Sequence, residues 1–523
     1  NINNSTLNSL SGNSKTNFSL NLSFEDDIKY SAKVKISNVE YKVSDNFIFN
    51  KITGLINLDN GSIGTDQKNP ITGLLNNNKI TINLSTRDNG NIALNGKASL
   101  NNEGYRKINY LNKYVNGSSI WEYKVILPPF SSLSTKPIKV YTSSNLIGTK
   151  VILPSFLNKK LKNKRNIKLN LMINEGVIKG LSFHYSSILG ELRFNKEISG
   201  YINLNGNKKK IPNKGIELTG NIKRLDINDW SQLFKEGGQS ELYDSLKSVS
   251  IGADKLIYND YVFENFKINF DKPKKSIIFN NISSYSDFYN IKIVGSYEYE
   301  NQTKITLKAN GESLEKLLNL WHINHSLRDS KFESSADLKW KGSPIDFSKN
   351  NISGSMNLNL KDGRIKKVGS RVSRLLGLFN IDLLTKRLSL DFDDVTRNGF
   401  SFKSMVGDFR IDSGQLFTTN LLTKGPSAQV LAIGTTDIVN ETYDMNVVAT
   451  PQVGETLPAI ALLGGPIAAA ATFAAEKLAK AFGKDIDDLI KIKYRVTGTW
   501  DDPIIEVIDK PFDPLDEVEE LFE

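Results

Sequence analysis

The sequence predicts a mainly β protein, an elongated, curved antiparallel sheet forming an open trough, with short helices and a helical block near the C-terminus. Three observations predict it. From Asn17 to about Leu360, apolar and polar residues alternate with period two in short runs broken by Gly, Asn, Asp and Ser, the pattern of half-buried strands. Short phrases recur, in which an apolar residue, a small polar one and Gly lead into an alternating run: Ile52-Thr53-Gly54-Leu55, Ile198-Ser199-Gly200-Tyr201, Leu218-Thr219-Gly220-Asn221 and Ile352-Ser353-Gly354-Ser355. Long helical patterns between the runs are missing, which removes βαβ units, and the spacing is too irregular for a propeller or leucine-rich array.

The strands are read from Tyr30, Ala32, Val34 and Ile36; Ile80, Ile82 and Leu84; Ile167, Leu169, Leu171 and Ile173; Phe266, Ile268 and Phe270; Ile305, Leu307 and Ala309; and Met356, Leu358 and Leu360. Asn-rich runs such as Asn76-Asn77-Asn78 are read as turns, since Asn tolerates the left-handed backbone. Short helices are expected at Asp229-Trp230 with Leu233-Phe234, and at Leu314, Leu317, Leu318 and Trp321 after Ser313. Between Lys366 and Leu384, Val368, Val372, Leu375, Leu376 and Phe379 give one apolar face with Arg371 and Arg374 off it, an amphipathic helix. The block from Leu457 to Phe482 is uncharged over a long stretch but broken at Pro458 and Gly464-Gly465-Pro466. It reads as two helices rather than a membrane span.

A chain of 523 residues exceeds one compact core, so several segments are expected. Borders are placed near Lys159 to Arg165 and near Ser343-Pro344, giving β-rich groove segments over 1–160 and 161–342, a C-terminal region with amphipathic helices over 343–509, and an acidic tail over 510–523. Without Cys there are no disulfides, thiolate metal sites or Cys nucleophile. A net charge of +10 suits a phosphate-bearing partner, although Lys, Asn and Ile are abundant everywhere in the chain. Near Asn1 neither a signal peptide nor an anchor is found.

Chemistry is poorly represented. His322 and His325 are spaced i, i+3, but no further His or Cys lies near them, so no metal or cofactor is expected. His184 sits in a strand pattern and is expected to face water. Asp391, Asp393 and Asp394 alternate along a strand pattern, which sends the first two to one face and the third to the other. The Lys and Tyr residues are scattered and form no nucleic-acid module. The expectation is a non-enzymatic scaffold. Arg364, Lys366, Lys367, Arg371, Arg374, Lys386 and Arg387 surround the amphipathic helix, an arrangement that suits either an anionic membrane surface or a helix docked on the sheet with its cations solvated.

Several landmarks occur in one order: Gly342-Ser343-Pro344, Arg374-Leu375-Leu376-Gly377-Leu378, Leu388-Ser389-Leu390-Asp391-Phe392, Gly399-Phe400-Ser401-Phe402, Gly407-Asp408-Phe409, Gly425-Pro426-Ser427-Ala428, Gly464-Gly465-Pro466 and Tyr494 to Pro503. In that order they resemble the C-terminal region of AsmA-like envelope proteins of the YhdP type. Ser144-Asn145-Leu146-Ile147-Gly148 with Leu153-Pro154 and Leu157 looks like a further stretch of the same proteins. The resemblance implies the C-terminal portion of a longer molecule in the periplasm of a Gram-negative bacterium, anchored in the inner membrane and reaching the outer one, that conducts phospholipids through a hydrophobic groove. Partners at either membrane are implied as well. The alternatives are an assembly factor for outer-membrane proteins, as in the related TamB-type proteins, or a passive envelope tether.

The residues support the first reading in one respect: a sheet with an apolar face and little helical cover must bury that face against something. Ile291, Ile293, Ile305, Leu307, Met356, Leu358 and Leu360 are therefore expected to line a lipid-accessible interior. Leu462 and Phe473, with the basic helix at Arg371 and Arg374, are expected to meet the outer membrane.

Overall fold

The computed structural model describes residues 10–21, 29–44, 47–102, 104, 114–129, 132, 135–230, 244–323, 325, 327–365, 400–426, 428–451, 492–500 and 502–508. The amphipathic helix with Arg371 and Arg374, the three Asp residues at 391–394, the block holding Leu462 and Phe473, and the acidic tail lie outside the described residues. Among the described residues, strand pairing joins 28 strands in one sheet and sets Val115–Gly117 against Thr149–Val151 in a separate pair. Contacts divide the chain into two units, Asn1–Ile251 and Gly252–Glu523.

In the first unit, strands from Leu10–Asn21 to Ile198–Asn203 pair antiparallel with their neighbours. The expected all-antiparallel order does not hold throughout. Ile198–Asn203 pairs parallel with Gly215–Asp226, because residues 204–214 carry the chain back before the next strand begins, and a parallel partner requires such a return.

In the second unit, strands from Tyr261–Asp271 to Gln302–Gly311 pair in succession. Lys331–Lys341 continues the series, which runs to Pro503–Val507 with every pairing antiparallel.

Local chemistry explains the turns and the recurring phrase. Asn76 and Asn77 have φ of 48° and 65° between the paired Leu75 and Asn78, the left-handed geometry that closes a two-residue hairpin. The Gly of the repeated phrase marks close passage of a neighbouring strand. A Cβ at Gly200 would sit 2.2 Å from the Glu191 carbonyl oxygen, and one at Gly354, where φ is +148°, 1.9 Å from that of Asp337. Only Gly allows the approach.

The helix Leu314–Leu320 forms as expected. The Ser313 hydroxyl accepts from the Lys316 amide at 3.2 Å, and Glu315 occupies its first turn, the favoured N-terminal arrangement. Its anchor is the adjoining segment, where Glu315 pairs with Arg328 at 2.9 Å and accepts from the Asp329 amide at 3.1 Å. The second unit holds the large buried cluster, including Tyr289, Ile291, Leu317, Leu327, Leu360, Met405 and Phe409. The first unit holds a small one, Ile52, Ile71, Ile80 and Ala98.

Candidate functional site

Side chains opposite each other across an antiparallel pair share a face, as do residues two apart along a strand. In the second unit this rule aligns Ile293, Leu307, Ala336, Met356 and Phe409 in one cross-strand row. Flanking rows run Ile291, Ala309, Ser334 and Leu358, and Gly295, Ile305, Leu338, Gly354 and Ile411. All seven residues expected to line an interior thus fall on one face of four neighbouring strands. The opposite face is polar, with Lys292, Lys308, Ser335, Asn357 and Asp408 in register. There Asn357 and Asn420 each donate to Asp408 at 2.8 Å. A concavity of about 520 Å³ on that side is lined by Lys308, Glu333, Ser335, Asn357, Asn359 and Lys361 among others, a surface for water rather than hydrocarbon.

Burial along the apolar face is graded. Leu360 is fully buried and Ile291 nearly so, because the helix Leu314–Leu320 and the short strand Leu327–Arg328 supply Leu317 and Leu327 to the same core. Ile293, Met356 and Leu358 pack partly buried against that core. Ile305 and Leu307 stay half-buried outside it. The face is therefore sealed at the helix end and more open toward Ile305.

The first unit carries a second apolar face of the same construction. Leu84, Leu94, Val125, Val140, Leu171, Leu181 and Leu192 stand in one row across seven strands. Beside it run Ile82, Gly96, Tyr123, Thr142, Leu169, Phe183 and Gly190. Val125, Val140, Leu169, Leu171, Leu181 and Phe183 are half-buried and belong to neither buried cluster. Aromatic rings fill the gaps at glycines. Tyr123 crosses Gly96 to donate its hydroxyl to the Thr81 carbonyl at 2.7 Å, and this half-buried position pushes its pKa upward. Sequence reasoning read three of these seven strands, at Ile80 to Leu84, at Ile167 to Ile173 and around His184, and named no residue on any of them as lining. Alternation at Ile167, Leu169, Leu171 and Ile173 was the available signal.

One end of this face is overlaid by residues 145–165, which link Ile138–Ser144 to Ile167–Asn174. Tyr185, on the same face as Leu181 and Phe183, donates to the Leu157 carbonyl at 3.0 Å. Arg165 donates to the carbonyls of Phe156 and Leu157 at 3.0 Å each and to the Tyr185 hydroxyl at 3.2 Å. The Lys159 ammonium is buried, donating to the Thr149 carbonyl at 2.6 Å and the Lys160 carbonyl at 3.1 Å. Burial, and then the nearby Arg165 charge, lower its pKa.

The histidines are not brought together as a metal site. His184 is exposed on its strand and His322 is exposed at a turn. His325 is buried, its Nδ1 3.0 Å from the Leu327 carbonyl and its Nε2 3.1 Å from Asn319 Oδ1, so both ring nitrogens are engaged. Among the described residues no group of three or more His, Asp or Glu could hold a metal ion. Among them no helix is long and apolar enough to cross a membrane.

Comparison with known proteins places this geometry in context. The family model described as YhdP protein matches residues 4–272 and 242–505. Over 213 residues the chain is 28% identical to the intermembrane phospholipid transporter YhdP of Escherichia coli (strain K12), a match covering 40% of this chain and 17% of that relative. The chain thus aligns with less than a fifth of the relative's length. No solved structure matches.

Proposed function

The chain belongs to the YhdP family, and from that premise we propose that its apolar rows carry the acyl chains of phospholipids in passage between two membranes. The observation that carries this reading is the register: half-buried apolar side chains stand in line from strand to strand, with a polar face behind them. An acyl chain gains about 0.8 kcal/mol per CH₂ on leaving water, on the order of 10 kcal/mol per tail. A row that crosses successive strands keeps that gain nearly constant from one position to the next, so a lipid can advance without returning to water.

The groove residues in this reading are Ile293, Ile305, Leu307, Met356 and Leu358 in the second unit, with the buried Ile291 and Leu360 as packed support at its sealed end, and, in the first unit, the row through Val125, Val140, Leu171 and Leu181. No catalytic step is required. The location is the periplasm of a Gram-negative envelope, with the whole protein held at the inner membrane. Arg371, Arg374, Leu462 and Phe473 are proposed to meet the receiving membrane. Mass spectrometry of a detergent-free extract of the purified chain tests the reading. Copurifying phospholipid is the expected result, and a preparation free of lipid that also fails to take it up from vesicles contradicts it.

A further inference from the structure

The net charge of this chain is concentrated in one place. Residues 123–174 contain nine Lys and one Arg with no Asp or Glu, so about a tenth of the chain accounts for its whole net charge of +10. The densest part is the loop 145–165, and it is firmly built. Val151 and Lys159 exchange both backbone hydrogen bonds at 2.9 Å, the Ile152 amide donates to the Tyr114 carbonyl at 2.7 Å, and the Arg165 amide donates to the Asn145 carbonyl at 2.9 Å. Two cations, Lys159 and Arg165, are spent on holding the loop together. Four others, Lys150, Lys160, Lys162 and Lys164, are exposed. None is paired with a carboxylate among the described residues.

This loop lies at the mouth of the first unit's apolar face. Tyr185 and Arg165 join it to the row ends, and Phe156 packs on Trp230 with ring centroids 6.3 Å apart. Ile147 and Leu161 are 49% and 47% exposed, and the Gly148 amide donates to the Leu161 carbonyl at 3.0 Å. Along the strands, four residues separate the row through Val140 and Leu171 from the paired ends Ser144 and Ile167, about 13 Å at 3.3 Å per residue. Apolar surface thus leads directly to unpaired positive charge, the order of chemistry in an anionic diacyl lipid read from tail to head.

We propose that the 145–165 loop is a headgroup station, in which Lys160, Lys162 and Lys164 hold the phosphate of an anionic phospholipid whose tails lie on the Val140 and Leu171 row. This rests on the acyl-carrying reading and adds a headgroup class to it. Charge attraction at a wet surface gives each Lys a modest share, so the three together account for about tenfold in affinity.

The test compares phosphatidylglycerol with diacylglycerol of the same chains on the purified chain. Lys160→Gln, Lys162→Gln and Lys164→Gln together should weaken phosphatidylglycerol about tenfold and leave diacylglycerol unchanged. A control, Lys292→Gln, Lys304→Gln and Lys308→Gln on the polar face of the second unit, should change neither. An unaltered phosphatidylglycerol affinity in the first variant, or an equal loss for both lipids, overturns the station. Complete displacement of phosphatidylglycerol by millimolar inorganic phosphate assigns a free-anion site instead and also overturns it. If the unaltered chain binds neither lipid, it is the acyl-carrying reading itself that fails.

Discussion

Arg165 lies over the ring of Tyr185, its guanidinium carbon 5.3 Å from the ring centroid and its Nη1 3.2 Å from the Tyr185 hydroxyl. That contact fastens the basic loop to the apolar face, since Tyr185 is two residues from Phe183 and four from Leu181 on the same strand.

Removing the contact in steps should separate its parts. Tyr185→Phe keeps the ring and loses the hydroxyl bonds, at a cost of about 1 kcal/mol. Tyr185→Ala also removes the cation–π contact and the packing, and should cost about 3 kcal/mol. Urea denaturation gives the totals. Hydrogen exchange should show the faster opening concentrated in residues 145–165, and equal exchange across the first unit would contradict the fastening role.

Charge placed on the apolar rows should act according to burial. Leu171 is half-buried and not part of a core cluster, so Leu171→Asp should cost about 1–2 kcal/mol in stability yet remove most lipid binding. Leu360 is fully buried in the large cluster, and Leu360→Asp should cost 4 kcal/mol or more, since an unpaired carboxylate would be desolvated there. Circular dichroism with lipid uptake distinguishes the two. Normal uptake by a folded Leu171→Asp variant counts against that row.

How much of this was legible in the sequence follows from the range of the forces involved. Strands such as Ile167–Asn174 and Asn78–Thr86 announce themselves because one half-buried face writes a period of two into the chain. The helix at Leu314–Leu320 has a local cap in Ser313. The seven expected lining residues share a face because each strand's parity is local, and unshifted pairing carried it across four strands. What remained hidden depends on distant partners. The parallel pairing of Ile198–Asn203 leaves no mark in its own composition. The run Lys159 to Arg165 reads as polar linker, and nothing local reveals that Lys159 is buried under Thr149 or that Arg165 reaches Tyr185. That the helix end of the second unit is sealed depends on Leu317 and Leu327 meeting Leu360, which is again a tertiary fact.

His325 should give the second unit a pH dependence. Burial, followed by the Arg328 charge, lowers its pKa below the usual 6.5, while Glu315 and the Leu327 carbonyl act weakly in the other direction. The unfolded state therefore binds the proton more readily than the folded one. The contribution is fully present above about pH 6.5 and is lost as pH falls from there toward the folded pKa. Unfolding of the chain at pH 7.5 and 5.5 should show reduced stability at the lower pH, with a smaller difference in His325→Gln. An identical difference in that variant assigns the effect to other groups.

Face-specific photo-crosslinking tests most directly whether lipid travels on the apolar face of each unit. A photoreactive side chain at Leu307 or Leu171, on the apolar rows, should capture phospholipid in a whole-cell experiment, whereas one at Lys308 or Met172, the next residue along each strand and on the opposite face, should not. Equal capture from both faces, or capture of protein alone at Leu307 and Leu171, would contradict the account.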